Sequence, residues 1–239
     1  RKTRIIGVDV DGAFAEYIAM PATNVWKLDD EIPIEVGAIH DPLGNAFHTA
    51  LVAPIEGRSV LVEGCGPIGL MAIQIARASG ADPIFAVDVN DKRLELARRS
   101  GAGFVLNAAR DPVEKTILEK TNGEGVLVVM EMSGNPSAVR QGFKLVANGG
   151  DVRLLGIPSQ EVPLDLAETI IFKGITVHGI IGLKMYSTWQ QMRAYLKGKR
   201  IDPASVITHK LHYTEIEKGL ELIRGGEAGK VVLNFEESA

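Results

Sequence analysis

Gly64, Gly66 and Gly69 carry the strongest chemical signal in the chain. Gly64-Cys65-Gly66-Pro67-Ile68-Gly69 has the spacing G-x-G-x-x-G, and it stands between the apolar run Val60 to Glu63 and a long apolar stretch from Ile68. At such a strand-to-helix junction the first glycine permits a tight turn. The second lets bare main chain approach a pyrophosphate, and the third allows close packing of helix against sheet. The helix start adds unpaired N–H groups and the positive end of the dipole. Pro67 suits the first helical position, where an N–H would be unpaired in any case. Asp88 lies 19 residues beyond Gly69, at the end of the next apolar run. A carboxylate there can accept hydrogen bonds from both ribose hydroxyls of NAD, and it repels the 2′-phosphate of NADP. Strand, loop, helix and acid together point to NAD; a glycine turn and an Asp that merely caps the next helix is the blander reading. Arg93 either lies over the adenosine ribose or is solvated on its helix.

The other reactive side chains are sparse. Cys65, inside the loop, is either a thiol activated by the helix N-terminus or a small apolar filler, and filler is the commoner role of a free cysteine. The histidines are His40, His48, His178, His209 and His212. A catalytic zinc needs three protein ligands and an open position. His48 is seven residues beyond Asp41, which on one helix is about 10 Å, too far for both to bind one ion. His209 and His212 fall in a strand candidate, where residues three apart face opposite ways. No local cluster completes a site, so each histidine reads as polar surface or satisfied core. There is no G-x-S-x-G, no P-loop lysine and no H-E-x-x-H. Ser133-Gly134-Asn135 reads as a turn lining the cofactor crevice.

These groups need a frame, and the chain supplies an alternating one. Strand candidates are Val60 to Val62, Ile84 to Val87, Phe104 to Leu106, Val126 to Met130, Val152 to Ile157 and Ile175 to Ile181. Helical stretches lie between them: Ile68 to Ser79, Asp91 to Arg99 with Asp91 as N-cap, Asp111 to about Thr121, and Ser137 to Val146, ended by Asn148, Gly149 and Gly150. Strand–helix alternation predicts a parallel, doubly wound α/β sheet. The flanks differ. Arg1 to Leu28 alternates loosely and predicts short antiparallel strands. Ile34 to His40 could be a helix that Pro42 interrupts, and Asn45 to Val52 looks helical. Beyond Gly182, a helix near Ser187 to Lys197, a strand near Val206 to Leu211, a helix near Thr214 to Arg224 and a strand near Lys230 to Phe235 are expected.

Composition excludes several classes. Of 239 residues, 46% are hydrophobic and 23% charged, with a net charge of −4. These values are those of a globular protein rather than a disordered one, and the acidic balance argues against a nucleic-acid binder. No apolar run approaches the roughly 18 residues of a membrane span. One cysteine excludes an internal disulfide and any multi-cysteine zinc cage, and is compatible with a reducing compartment. No charged-then-apolar leader follows Arg1, so no signal peptide is expected, and the absent initiator Met suggests a processed, truncated or excised chain.

Taken together, these stretches resemble the zinc-containing medium-chain alcohol dehydrogenases. They include Gly7-Val8-Asp9, Gly12 to Tyr17, His40-Asp41-Pro42-Leu43-Gly44-Asn45-Ala46-Phe47-His48-Thr49, the glycine loop with Leu70-Met71-Ala72, and Asp88-Val89-Asn90 with Arg93-Leu94. Glu131-Met132-Ser133-Gly134, Leu155-Gly156-Ile157-Pro158, Phe172-Lys173-Gly174, Ile207-Thr208-His209 and Gly229 to Leu233 extend the match over essentially the whole chain. The Asp41 to Thr49 stretch is most similar to the threonine-oxidising branch. The resemblance implies a six-stranded Rossmann domain at 44–183 that binds NAD, with 1–43 and 184–239 as remnants of a mostly β, GroES-like catalytic domain. It implies NAD-dependent oxidation of a secondary alcohol, threonine to 2-amino-3-ketobutyrate, with zinc as Lewis acid in the complete protein. By the same resemblance Asp41 offers a carboxylate to that zinc, and Leu155, Ile157, Ile180 and Ile181 flank the nicotinamide end. Ile175 to Ile180 forms a subunit-contact edge, hence a homo-oligomer, dimer or tetramer, located in the cytoplasm. The family's other zinc ligands, a Cys and a His-Glu pair, and its four-cysteine lobe fall outside this sequence. Leu183 replaces an Arg usual in the threonine branch, which keeps a polyol or butanediol dehydrogenase, or an NAD-binding fragment without catalysis, as alternatives.

Overall fold

Six short apolar runs pair into one parallel sheet in the computed structural model, which describes residues 4–235. They are β1 (Val60–Glu63), β2 (Ile84–Asp88), β3 (Phe104–Asn107), β4 (Val126–Glu131), β5 (Val146–Leu154) and β6 (Thr176–Gly179). Their order is β3-β2-β1-β4-β5-β6, with every neighbouring pair parallel. Strand order therefore reverses between β1 and β4, and ligands of open α/β sheets bind at the carboxyl ends of strands at such a switch point.

Side chains alternate between the two faces of a strand, and here both faces are dry. Val60, Val62, Ile84, Ala86, Val128 and Met130 join one core cluster with α2 (His40–Leu51), α3 (Pro67–Ala78) and α4 (Asp91–Arg99). Leu61, Phe85, Val87 and Val129 join the other, with α5 (Val113–Lys120) and α6 (Pro136–Leu145). α1 (Ile34–Gly37) precedes α2. After the sheet come α7 (Ser187–Lys197), α8 (Ile216–Arg224) and a parallel pair, β7 (Ile207–His212) and β8 (Lys230–Asn234). Met192 and Val206 enter the first cluster, so the last part of the chain shares the core of α2 and α3.

A buried arginine joins α2 to the sheet. Arg153 on β5 is fully buried. It donates to Asp151 Oδ1 at 2.6 Å and to the Thr49, Ala50 and Ala53 carbonyls at the end of α2. Asp151 also takes the Arg58 guanidinium at 2.5 Å. The cation thus satisfies helix-end carbonyls that have no partner in the helix.

The contact pattern divides the chain after Pro33. The expected antiparallel strands are not found among the described residues of the first unit, which show one isolated parallel bridge, Ile6 to Val10, and a 3₁₀ turn at Ala22–Asn24; the first three residues of that expectation lie outside the described residues. None of them is buried, and Val8, Phe14 and Tyr17 are exposed at 78%, 78% and 89%. Loose alternation there has no partner face to bury against, so no ladder forms. Several boundaries also move: the strand expected over Ile175 to Ile181 shortens to Thr176–Gly179, and the helix expected over Ile34 to His40 ends at Gly37. α2 begins at His40 rather than Asn45, because Pro42 falls in its first turn, where a missing N–H costs nothing. α4 is capped by Asn90, whose side chain accepts from Lys92 and Arg93 N–H, rather than by Asp91. β5 starts at Val146, before Gly149 and Gly150, and ends at Leu154; a register shift in its pairing with β4 absorbs the glycines.

Candidate functional site

The glycine loop is fastened to β2 at two points. Gly64 N–H donates to the Val87 carbonyl at 2.8 Å, and Cys65 N–H donates to Asp88 Oδ2 at 2.8 Å. Gly64 takes φ +96°, a conformation open to glycine, and a Cβ on it would lie 2.8 Å from Ser133 Cβ. A Cβ on Gly69 would overlap the Gly64 carbonyl oxygen, so the first turn of α3 packs directly on the loop. Gly66 is different. It is the N-cap of α3, followed by Pro67, and a Cβ there would meet nothing within 4 Å. The protein itself therefore does not require a glycine at 66. The first-turn N–H groups of α3, at Ile68 and Gly69, have no partner within the helix, and the open space beside Gly66 gives a diphosphate access to them.

Asp88 lies 8% exposed on the wall of a crevice of about 500 Å³. The crevice is lined by Glu63, Gly64, Asp88, Arg93, Ser133 and Asn135 among others. Besides Cys65, Asn90 N–H donates to the Asp88 carboxylate, to Oδ1 at 2.9 Å. A carboxylate has about four lone-pair sites, so two remain to accept further donors. Arg93 reaches Asp88 Oδ2 at 4.0 Å, and its buried Nε has no hydrogen-bond partner among the described residues. Its side chain is one of those that line the crevice.

Cys65 is fully buried, its thiol 3.6 Å from the Val87 carbonyl oxygen. Burial, with the charges of Asp88 and Glu63, pushes the thiol's pKa up, the opposite of activation. The filler reading holds.

The expected nicotinamide-end residues sit at the same edge of the sheet. Leu155 N–H donates to the Glu131 carbonyl at 3.0 Å, and the main chain of Ile157 lies against Gly134. Ile180 is buried, its N–H bonded to the Leu154 carbonyl, whereas Ile157 and Ile181 are each 90% exposed. Leu183, at the departure from the threonine branch, packs its side chain onto Gly44 of α2.

Asp41 stands apart. It is exposed in the first turn of α2, where Asn45 Nδ2 donates to its Oδ2 at 3.4 Å. His40 Nδ1 lies 3.1 Å from the Val36 carbonyl oxygen and His48 Nδ1 lies 2.9 Å from that of Gly182. Burial holds His40 below its usual pKa. Among the described residues no three His, Cys, Asp or Glu side chains come together as a metal set. The residues present fit the dinucleotide; they do not by themselves fit a zinc ion.

Two buried carboxyls escaped the motif reading. Glu63 ends β1 and Glu131 ends β4, directly paired across the switch point, 1% and 0% exposed. Glu131 accepts from Ser133 N–H, from Ser133 Oγ at 2.5 Å and from Gly134 N–H, which shapes the turn before α6. Glu63 Oε1 has no hydrogen-bond partner among the described residues. Burial, reinforced by Glu131, pushes Glu63 up to about 8. The available signal was a glutamate closing the otherwise apolar run Val60 to Glu63.

This geometry agrees with what the chain is similar to. Residues 67–197 match the family described as zinc-binding dehydrogenase. The chain belongs to that family. Its L-threonine 3-dehydrogenase relative from Bacillus licheniformis is 48% identical over 98% of this chain and 67% of the relative, and that from Caldanaerobacter subterraneus is 49% identical over 97% and 67%. The alcohol dehydrogenase of Thermus sp. ATN1 superposes with a TM-score of 0.86 at 31% identity, covering 95% of this chain and 66% of that one. A structure described as a short chain alcohol dehydrogenase from E. coli CFT073, solved with NADH, gives 0.89 at 25% identity over 97% of this chain and 68% of that one. The chain spans about two thirds of the length of the curated relatives it matches. Among the described residues no helix is long and apolar enough to cross a membrane.

Proposed function

We propose that this chain binds NAD and, within the complete protein, oxidises a secondary alcohol, L-threonine to 2-amino-3-ketobutyrate. The observation that carries the cofactor is the glycine loop itself: a Cβ at Gly66 would meet nothing within 4 Å, and Gly64 of the same loop lines a crevice with Asp88 and Arg93. Gly64, Pro67, Ile68 and Gly69 shape the turn that presents main-chain N–H groups to the diphosphate. Asp88 accepts the ribose hydroxyls and disfavours a 2′-phosphate, and Arg93 covers the ribose. Leu155, Ile157, Ile180 and Ile181 enclose the nicotinamide end with main chain and apolar surface, which excludes water. The cofactor supplies the hydride acceptor. Zinc belongs to the complete protein, with Asp41 as the only contribution proposed from this chain. The substrate rests on the relatives' names and on the stretch Asp41 to Thr49.

In this reading 44–183 is the NAD domain, 1–43 and 184–239 belong to a catalytic domain, and the exposed edge strand β6 is where copies of the protein associate in the cytoplasm. Leu183 favours a second substrate reading, a polyol or butanediol, because an apolar side chain on Gly44 replaces a cation. NADH formation by the complete protein with threonine, sorbitol and butanediol decides between them. Threonine turned over far faster than the others supports the proposal; preference for either polyol overturns the substrate. Failure of this chain to bind NAD in a titration overturns the cofactor.

A further inference from the structure

The carboxyl ends of β1 and β4 meet where the glycine loop begins, and each ends in a glutamate. Glu63 and Glu131 are directly paired in register, both buried, and point to the same face of the sheet as Leu61 and Val129. Glu131 is committed to the Ser133–Gly134 turn through three donors. Glu63 is left with an unpartnered buried oxygen and lines the crevice next to Asp88. We propose that Glu63 is a cofactor-binding residue that acts as the neutral acid: the Glu63–Glu131 pair keeps one proton, and the crevice accepts the dinucleotide only while it does.

The argument is electrostatic and deepens the NAD reading, on which it rests. A dinucleotide brings a negatively charged diphosphate to the edge of the sheet. With Glu63 neutral, the floor beneath it carries Glu131, already satisfied by donors, and Asp88, offset by Arg93 at 4.0 Å. With Glu63 ionised, an uncompensated carboxylate stands beside the loop in a medium where charges interact strongly. The other groups facing Glu63 do not offset it. Cys65 on the loop stays a thiol because its pKa is raised, and α6 and the β3–α5 connection contribute Ser137, Gln141 and Ala108 to the crevice. Arg93 is the one cation of the crevice lining and is shared with Asp88. The raised pKa of Glu63, about 8, places the change just above neutrality. A neutral carboxyl is also the only form of Glu63 that can donate a hydrogen bond to the ligand.

The test is NAD titration of this chain by calorimetry from about pH 6 to about pH 9.5, in buffers of different ionisation enthalpy. We expect affinity to be level at the acid end and to fall toward about tenfold per pH unit above the Glu63 value, with proton uptake on binding near about pH 8.5 and none near about pH 6. Glu63→Gln, which keeps the shape and cannot ionise, should bind with little pH dependence and at the alkaline end more tightly than the wild type. Should Glu63→Gln not fold, proton uptake by the wild-type chain and a ¹³C carboxyl resonance titrating near the Glu63 value still decide the matter. Level wild-type affinity without proton uptake overturns the proposal while leaving NAD binding intact. A Glu63→Gln profile that falls as the wild type does also overturns it. A folded wild-type chain that binds no NAD at any pH overturns the cofactor reading itself.

Discussion

The two ends of the candidate site are built in different ways. At the dinucleotide end, loop, helix start and acid all come from one β1–α3–β2 unit. The parts are tied by two hydrogen bonds at 2.8 Å, from Gly64 to Val87 and from Cys65 to Asp88. At the proposed metal end, Asp41 stands exposed in the first turn of α2, and among the described residues no three His, Cys, Asp or Glu side chains come together as a metal set. A main-chain anion site is local: a strand, a turn and a helix N-terminus make it. A metal site needs several side chains brought from separate stretches of chain, so it is only as complete as the stretches present.

Within the dinucleotide end, Gly69 and Gly66 separate folding from binding. Gly69→Val should be the most damaging change, because its Cβ would overlap the Gly64 carbonyl oxygen. A loss of about 3 kcal/mol in stability is expected from overpacking against main chain, together with lost NAD binding. Denaturant unfolding checks it, and a wild-type midpoint would show that the loop can move aside. Gly66→Val should do the reverse, since its Cβ points into open space. Stability should stay within about 1 kcal/mol of wild type, while displacement of the diphosphate from two or more charge-assisted bonds should cost about 100-fold or more in NAD affinity. Unchanged affinity would mean the diphosphate does not lie there.

Asp88→Ala should fall between these. Two N–H groups, of Cys65 and Asn90, lose their acceptor, and the ribose loses a charged partner. Expected are a stability loss of about 1–2 kcal/mol and a 10- to 100-fold (roughly) weaker affinity for NAD. NADP should be less affected, so the ratio of the two affinities should shrink. An unaltered ratio in parallel titrations would remove Asp88 from cofactor selection.

The contrast also explains what the amino-acid order could reveal. The six strands, the helices between them and the glycine loop were legible because each depends on near neighbours: apolar runs, a G-x-G-x-x-G spacing and an acid at the next strand end. Asp88 was placed by spacing, although its bond to Cys65 was not foreseeable. The Glu63–Glu131 pair was not legible, since it depends on two strands far apart in the chain meeting in register. Strands in Arg1 to Leu28 were misread because alternation specifies a strand only where a partner covers one face. The helix start at His40 was misplaced because Pro42 reads as a breaker in the interior of a helix but is neutral in its first turn.

Asp41→Ala should have the smallest effect in this chain, and that smallness is informative. Asp41 is exposed, and its 3.4 Å bond from Asn45 is weak. Removing it should change stability by less than about 0.5 kcal/mol and NAD affinity by less than about twofold. Zinc added to the chain should likewise leave the unfolding midpoint of both forms where it was, since one carboxylate cannot supply the three protein ligands such an ion takes. Stoichiometric zinc retained by the wild-type chain and lost in Asp41→Ala would reverse the comparison between the two ends. It would show that side chains now apart, His40 and His48 on the same helix among them, rearrange around an ion that the folded chain does not need in order to hold its dinucleotide loop.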